Sequence, residues 1–371
     1  MKQTVIFWKN HPALHDHRLY LAIAAYYHVL LVCDTPVPQK RILNSGWSNE
    51  EGVQTLFLSD SLTPKHFIHS LIDEHPDAIH VLCGLRGCRC VRLALPYFLR
   101  QPSPRLVVCQ EAPTRTFGFR RIIQDLIYRA IIFRIRKKVL AFFAMGTMGT
   151  SAYMRLGFPK EKIYSTMYSY PGDYPPLPPP KHSVMPIKLI YVGDAIPAKG
   201  VHLLLDAVKS FPPDAIHLTM VGSDPEGILA KAQSDRFWNG RLTLLGVIPN
   251  RKIIEILSQH DLLILPSLND GWGMVVTEAL IAGIGAIVTD ACGSQDVPRQ
   301  FDTGLVIPAG SVSAIKEALS RVLNNSDLLL SWKINARTRR DETRPERIAS
   351  QMHDILNPLF PVSVKPNEPP F

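Results

Sequence analysis

No apolar run in the sequence reaches the roughly 18 residues that a membrane-crossing helix requires. The opening segment MKQTVIFWKNHPALH places charge where a secretion signal would carry its apolar centre, so a cytoplasmic protein is expected. Cysteine is scarce, at six residues in 371. Cys33, Cys109 and Cys292 stand in or beside apolar strand-like runs, as buried thiols of a reducing compartment do. Cys83, Cys88 and Cys90 form the one local cluster, and no second Cys or His pair follows at a ligand spacing, so no metal site is expected.

What is present is the composition of a globular protein, 46% hydrophobic and 20% charged. The chain is too long for one ordinary core and suits two domains. Residues 171–180 read PGDYPPLPPP, too proline-rich to join a core and suited to a semi-rigid connector. The expected division is a first domain over residues 1–170, a linker over 171–186, a second domain over 187–345, and a helix with a tail over 346–371. In the first domain, expected strands over 4–8, 28–33, 55–58, 78–83, 106–109, 141–145 and 163–168 alternate with helical stretches over 19–27, 65–74, 89–99 and 147–156. The second half repeats the pattern, with strands over 188–192, 216–221, 242–245, 262–265, 286–289 and 304–307. Such alternation implies mostly parallel sheets.

The densest chemistry lies in residues 262–296, LLILPSLNDGWGMVVTEALIAGIGAIVTDACGSQD. A buried strand ends at Pro266, Ser267 and Asn269. Asp270, Gly271, Trp272 and Gly273 then open an expected helix that runs through Glu278 to about Ala282, where Gly283 caps it. A strand, a glycine turn and a helix N-terminus make an anion site, because free amides and the helix dipole point at it. The two acids fall roughly 7 Å apart along the axis at ~1.5 Å per residue. Carboxylates flanking an anion site suit hydroxyls, as in the ribose contact of dinucleotide folds. The implied ligand has hydroxyls at both ends and phosphate between, the layout of a nucleotide sugar.

The string Asp270-Gly271-Trp272-Gly273 with Glu278, between Pro266-Ser267 and Gly283, resembles the signature of the retaining glycosyltransferases of family 4. That family usually has Glu at the first acid, so Asp270 is one methylene shorter. The resemblance implies an α/β architecture of two Rossmann-like domains facing across a cleft, the GT-B fold. It implies donor-sugar contact for Asp270, ribose contact for Glu278, and a diphosphate held by Gly271, Trp272, Gly273 and the helix N-terminus. Gly193-Asp194 and Lys199-Gly200 resemble the family's Gly-Arg and Lys-Gly. Lys199 would stabilise charge on the departing diphosphate, while Asp194 replaces the arginine, leaving Arg251, Lys252 or an arginine of the first domain to substitute. Gly246 and Val247 fall where the family binds the base. Glu111 stands where the family commonly has histidine; a carboxylate there suits a sugar hydroxyl or deprotonation of an acceptor hydroxyl, beside a plain loop or capping role. The loop over 9–18, glycine-rich in the family, has no glycine here; Asn10, His11, His15 and His17 are its candidates for the acceptor. The turn Gly84-Leu85-Arg86-Gly87 is either cleft wall or an ordinary turn. In the resembled fold the final helix crosses back to the first domain. No metal and no cofactor are implied, the donor being itself a nucleoside diphosphate sugar.

The net charge of +9 is uneven. Residues 111–140 hold eight basic side chains, Arg115, Arg120, Arg121, Arg129, Arg134, Arg136, Lys137 and Lys138, against Glu111 and Asp125. Such a block attracts phosphate, and an anionic membrane surface suits the segment from Arg115 to Lys138 better than nucleic acid does. A helical wheel sets Ile122, Ile132 and Phe133 among the arginines, so part of this helix is expected to pack inside, and a plain solvated face on a core-packed helix is the alternative to a membrane seat. The function expected is transfer of a sugar to a hydroxyl of a glycan or lipid-linked acceptor, in cell-surface polysaccharide or lipopolysaccharide synthesis at the inner face of the plasma membrane. Two rivals stand beside it: a nucleotide-sugar epimerase or hydrolase, which needs no acceptor, and a non-catalytic partner subunit, which would account for the missing arginine and histidine together.

Overall fold

The computed structural model describes residues 2–12, 16–37, 52–113 and 119–361. The first domain runs β1 (Thr4–Lys9), α1 (His17–Ile23), β2 (His28–Cys33), β3 (Gln54–Phe57), α2 (Pro64–Glu74), β4 (Ile79–Leu82), α3 (Arg89–Arg100), β5 (Leu106–Gln110), α4 (Phe119–Ile135), β6 (Val139–Met145), α5 (Gly146–Arg155) and β7 (Ile163–Thr166). Its seven strands are parallel, in the order β3-β2-β1-β4-β5-β6-β7. Side chains alternate across each strand, so both faces need cover. Ile6, Trp8, Leu82, Val108 and Phe142 pack under α2 to α5 on one face. Val5, Phe7, Val81, Val107 and Phe143 pack under α1 on the other.

The second domain follows: β8 (Ile187–Val192), α6 (Val201–Val208), β9 (Ile216–Val221), α7 (Ile228–Gln233), β10 (Leu242–Gly246), α8 (Ile253–Ser258), β11 (Leu262–Leu265), α9 (Met274–Ala282), β12 (Gly285–Thr289), α10 (Asp296–Phe301), β13 (Gly304–Ile307), α11 (Val312–Leu323) and α12 (Ser326–Arg339). Six parallel strands take the order β10-β9-β8-β11-β12-β13. In each sheet the strand order reverses once, between β1 and β4 and between β8 and β11, and ligands of open α/β sheets bind at the carboxyl ends of such a pair. The last helix, α13 (Pro345–Leu359), returns to the first domain, where Ile348, Ala349, Met352 and Leu356 complete the face that carries α1.

Residues 171–186 run without helix or strand. The linker is nonetheless tied down: Ser183 donates to Asp261 (2.6 Å), which also accepts from Lys333 (2.7 Å), and Leu177 sits against Gly283.

Three expectations need correction. Helix α9 starts at Met274, so Asp270 to Gly273 form a loop before it, held by a bridge of Asp270 to Cys292. Helices α7, α10 and α12 were not anticipated; α7 and α10 are six residues each, too short to show a helical period. On α4 the inward side chains are Tyr128, Ile132 and Ile135, whereas Ile122 and Phe133 point outward. His15, Arg115 and the tail from residue 362 lie outside the described residues.

Candidate active site between the two domains

Lys199 and Asp270 meet at the reversal point of the second sheet. Lys199 ends a short 3-10 turn after β8 and Asp270 lies in the loop after β11, and the ammonium donates to the Asp270 carboxylate at 2.6 Å. The turn is possible because Gly200 adopts φ +68 with the Pro266 carbonyl 2.1 Å from where a Cβ would stand, a place no other residue could occupy. Gly273, also left-handed at φ +88, caps α9 and leaves the first amides of that helix unpaired by any side chain.

The first domain brings a carboxylate to the same place. Glu111, just past β5, lies so close to Gly271 that a Cβ there would sit 2.2 Å from its Oε2. Tyr168, just past β7, donates to Glu111 Oε1 at 2.9 Å, and Tyr153 of α5 donates to the Glu111 carbonyl at 2.8 Å. Burial raises the Glu111 pKa above the usual carboxylate value; the Tyr168 hydrogen bond opposes this, and the nearby Asp270 charge adds to it. Glu111, Lys199, Asp270, Gly271, Trp272 and Gly273 line one cavity of about 350 Å³ together with Tyr168.

Trp272 serves this site mainly as packing. Its indole is buried, its Nε1–H donates to Thr277 (3.1 Å), and its ring meets that of Tyr168 edge-on at 5.8 Å. Glu278, five residues into α9, is 9% exposed, and burial alone pushes its carboxyl up to about 7. Burial raises the Tyr170 hydroxyl as well, and the nearby Glu278 carboxylate adds to that.

Gly193 and Val247 line a neighbouring cavity of about 530 Å³ with Asp194, Ser223 and Asn250, at the carboxyl ends of β8, β9 and β10. Gly246, at φ +67, accepts from the Gly222 amide at 2.8 Å, which fixes that edge. Asp194, at the position of the resembled family's arginine, accepts from Ser223 at 2.6 Å.

Asn10 and His11 line a third cavity, about 590 Å³, lying wholly against the first domain and ending at Glu111. Beneath it Lys9 is buried with Asp16 and Tyr20, its ammonium bonded to both. Asp16 holds the lysine charged despite burial. Away from the site, Asp34, Cys88 and Cys90 gather at the start of α3, where Asp34 accepts from the Arg89 and Cys90 amides at 2.6 Å each, the work of a helix cap.

Tyr168 and Tyr153 carried no motif in the sequence. Nor did Asp296, which is 2% exposed and reaches out of the second domain to accept from the Thr147 hydroxyl (2.5 Å) and amide at the start of α5 in the first. Each acts through a partner 149 residues away or through a strand end whose direction only the assembled sheet fixes.

Residues 178–339 match the family described as glycosyl transferases group 1. The lipopolysaccharide glucosyltransferase WaaG of Escherichia coli K12 is 28% identical over 179 residues, 45% of this chain and 46% of that protein. A phosphatidyl-myo-inositol mannosyltransferase of Mycobacterium leprae is 27% identical over 135 residues, 36% of each chain. The matched stretches thus span less than half the length of these relatives. Among solved structures, HepE of Anabaena in complex with UDP superposes with a TM-score of 0.70 at 15% identity, covering 96% of this chain and 100% of that one, a likeness of fold. By that match residues 178–339 resemble the glycosyl transferases of group 1, and by that likeness of fold the chain is built on the GT-B architecture.

Proposed function

We propose that this glycosyltransferase moves a sugar from a nucleoside diphosphate sugar to a hydroxyl of a lipid-linked glycan, with retention of anomeric configuration and without a metal, in synthesis of a cell-surface polysaccharide or lipopolysaccharide. The observation that carries the proposal is the meeting of Glu111 from one domain with Lys199 and Asp270 from the other around a single cavity. The relatives named for lipopolysaccharide and phosphatidylinositol glycosylation support the class of acceptor.

In this reading the diphosphate lies at the N-terminus of α9 and takes Lys199 from Asp270. The lysine then stabilises charge growing on the departing phosphate, and Asp270, released from its ion pair, accepts from a sugar hydroxyl. Glu278 accepts from the ribose, and the base lies against Gly246 and Val247. The acceptor enters over Asn10 and His11, and Glu111, held by Tyr168, orients its hydroxyl or takes its proton.

The exposed side of α4 supplies the membrane part of the proposal. Phe119, Ile122, Ile123, Leu126, Ile127 and Phe133 are all exposed there, at spacings that form one stripe on a helix. Arg120, Arg129 and Arg134 accompany them. An apolar stripe edged with arginine suits a peripheral seat on an anionic bilayer. Among the described residues no helix is long and apolar enough to cross a membrane.

The test is calorimetric titration of a panel of nucleoside diphosphate sugars into the wild type, Lys199→Ala and Glu278→Ala. One donor should bind, and both substitutions should weaken it. Slow turnover of that donor with no acceptor present would favour an epimerase or hydrolase, and no binding at all a partner subunit. For the membrane part, sedimentation with phosphatidylglycerol vesicles should capture the wild type and lose Ile122→Glu/Leu126→Glu; equal capture of both would reject α4 as the seat.

A further inference from the structure

Glu111 borders a further opening, besides the donor cavity and the one lined by Asn10 and His11. A cavity of about 770 Å³ lies between the domains, and Glu111, Asp270 and Gly271 line both it and the donor cavity. Lys199, Gly273 and the start of α9 face the donor cavity alone. Whatever enters by the larger mouth therefore reaches Glu111 from the side away from the diphosphate site.

Three guanidinium groups line this mouth: Arg121 of α4, Arg155 of α5 and Arg299 of α10. The acids near them are largely engaged. Asp125 pairs with Arg155 at 3.3 Å, Asp270 with Lys199, and Glu111 with Tyr168. Asp290 accepts from the Ala309 amide at 3.0 Å. Arg121 and Arg299 form no ion pair among the described residues. The N-terminus of α5, which also opens here, is already taken by Asp296. Recognition of an anion at this mouth thus falls to the arginines. Their planar donors suit phosphate or carboxylate in two-point contact.

Building on the transferase reading above, we infer that this mouth is a subsite for an acidic group of the acceptor, a phosphate or a carboxylate, gripped between Arg121 of the first domain and Arg299 of the second. Because the two arginines belong to different domains, an anion between them favours the closed cleft and aligns Glu111 with the donor.

The test titrates inorganic pyrophosphate, and separately glucuronate, into wild type, Lys199→Ala and Arg121→Gln/Arg299→Gln. Both arginines are exposed, so the double variant should keep the wild-type unfolding transition. In the Lys199→Ala background one site should remain for the preferred anion, and adding the arginine substitutions should weaken it about tenfold or more, the worth of one charge-assisted contact. A response to pyrophosphate names a phosphate-bearing acceptor and a response to glucuronate an acidic sugar. Binding in the Lys199→Ala protein that is absent, or indifferent to the arginines, overturns the inference. The donor reading fails separately, when Lys199→Ala leaves the pyrophosphate stoichiometry at the wild-type value.

Discussion

The two walls of the cleft are built by different rules. On the second-domain wall, Asp270, Gly271, Gly273 and Glu278 come from one strand-loop-helix unit, with Lys199 added from the next loop of the same sheet. On the first-domain wall, Glu111 depends on Tyr168 from the end of β7 and Tyr153 from α5, at separations of 57 and 42 residues. A wall made from one local unit holds its shape because a turn and a helix start leave the backbone few alternatives. A wall made from distant parts holds its shape only when the whole domain is assembled. The second-domain wall, where the proposal puts the donor, is therefore fixed by backbone, and the first-domain wall, where it puts the acceptor, by side chains, so substitutions should act differently on the two.

The largest expected effect breaks the acceptor wall at its centre. Glu111→Gln should lower transfer by about 10²–10⁴-fold, the range for a lost acid–base group, while calorimetry finds donor affinity within severalfold of wild type. A comparable loss of donor binding would erase the distinction between the walls. Next comes Lys199→Ala, expected to lower kcat/KM by about 10²-fold and, unlike Glu111→Gln, to weaken donor binding as well.

Tyr168→Phe sharpens the contrast at smaller cost. The Tyr168 hydroxyl holds the Glu111 pKa down against burial, so its removal should raise that pKa further. The acid limb of the pH–rate profile should then move to higher pH, with about a tenfold loss below the shifted limb, and the rate at alkaline pH should recover toward wild type. A uniform loss at every pH would make Tyr168 a packing residue only.

A last effect falls on stability rather than rate, on the wall of the second domain. The folded Glu278 carboxyl is pushed up to about 7 from an ordinary 4.5, so its favourable contribution, that of a neutral acid, is complete below about pH 4.5. It is lost as pH rises through 7. Without donor, the wild type should lose about 3 kcal/mol between these limits, and Glu278→Gln should remove that slope in urea unfolding at pH 5 and pH 8. Equal slopes would mean that water already reaches the carboxylate.

The same contrast explains what the sequence could and could not reveal. The segment from β11 to β12 was legible because its parts are adjacent, so residue order alone places glycine, helix start and both acids. Alternation of apolar runs likewise exposed two parallel sheets, with most strands within two residues of their observed ends. Glu111 was readable as a location, since it follows a strand. Its partner was not, because nothing in residues 163–168 says that Tyr168 turns toward β5. Asp296 closes the segment 262–296 with no role legible there, and its work lies on Thr147. The apolar residues of α4 were visible among the arginines, but periodicity cannot say whether such a stripe faces a core or solvent. There the inward expectation failed for Ile122 and Phe133.

Helix α13 has a consequence for how the molecule is made. It supplies Ile348, Met352, Leu356 and Phe360 to the sheet face begun by Val5, Phe7 and Tyr20. Residues 187–339, which build the second sheet and its helices, leave the ribosome earlier. During synthesis the domain started first is thus finished last, and the nascent protein carries a folded second domain beside a first domain with one bare apolar face. That face is where a chaperone would be expected to bind until residues 345–360 emerge.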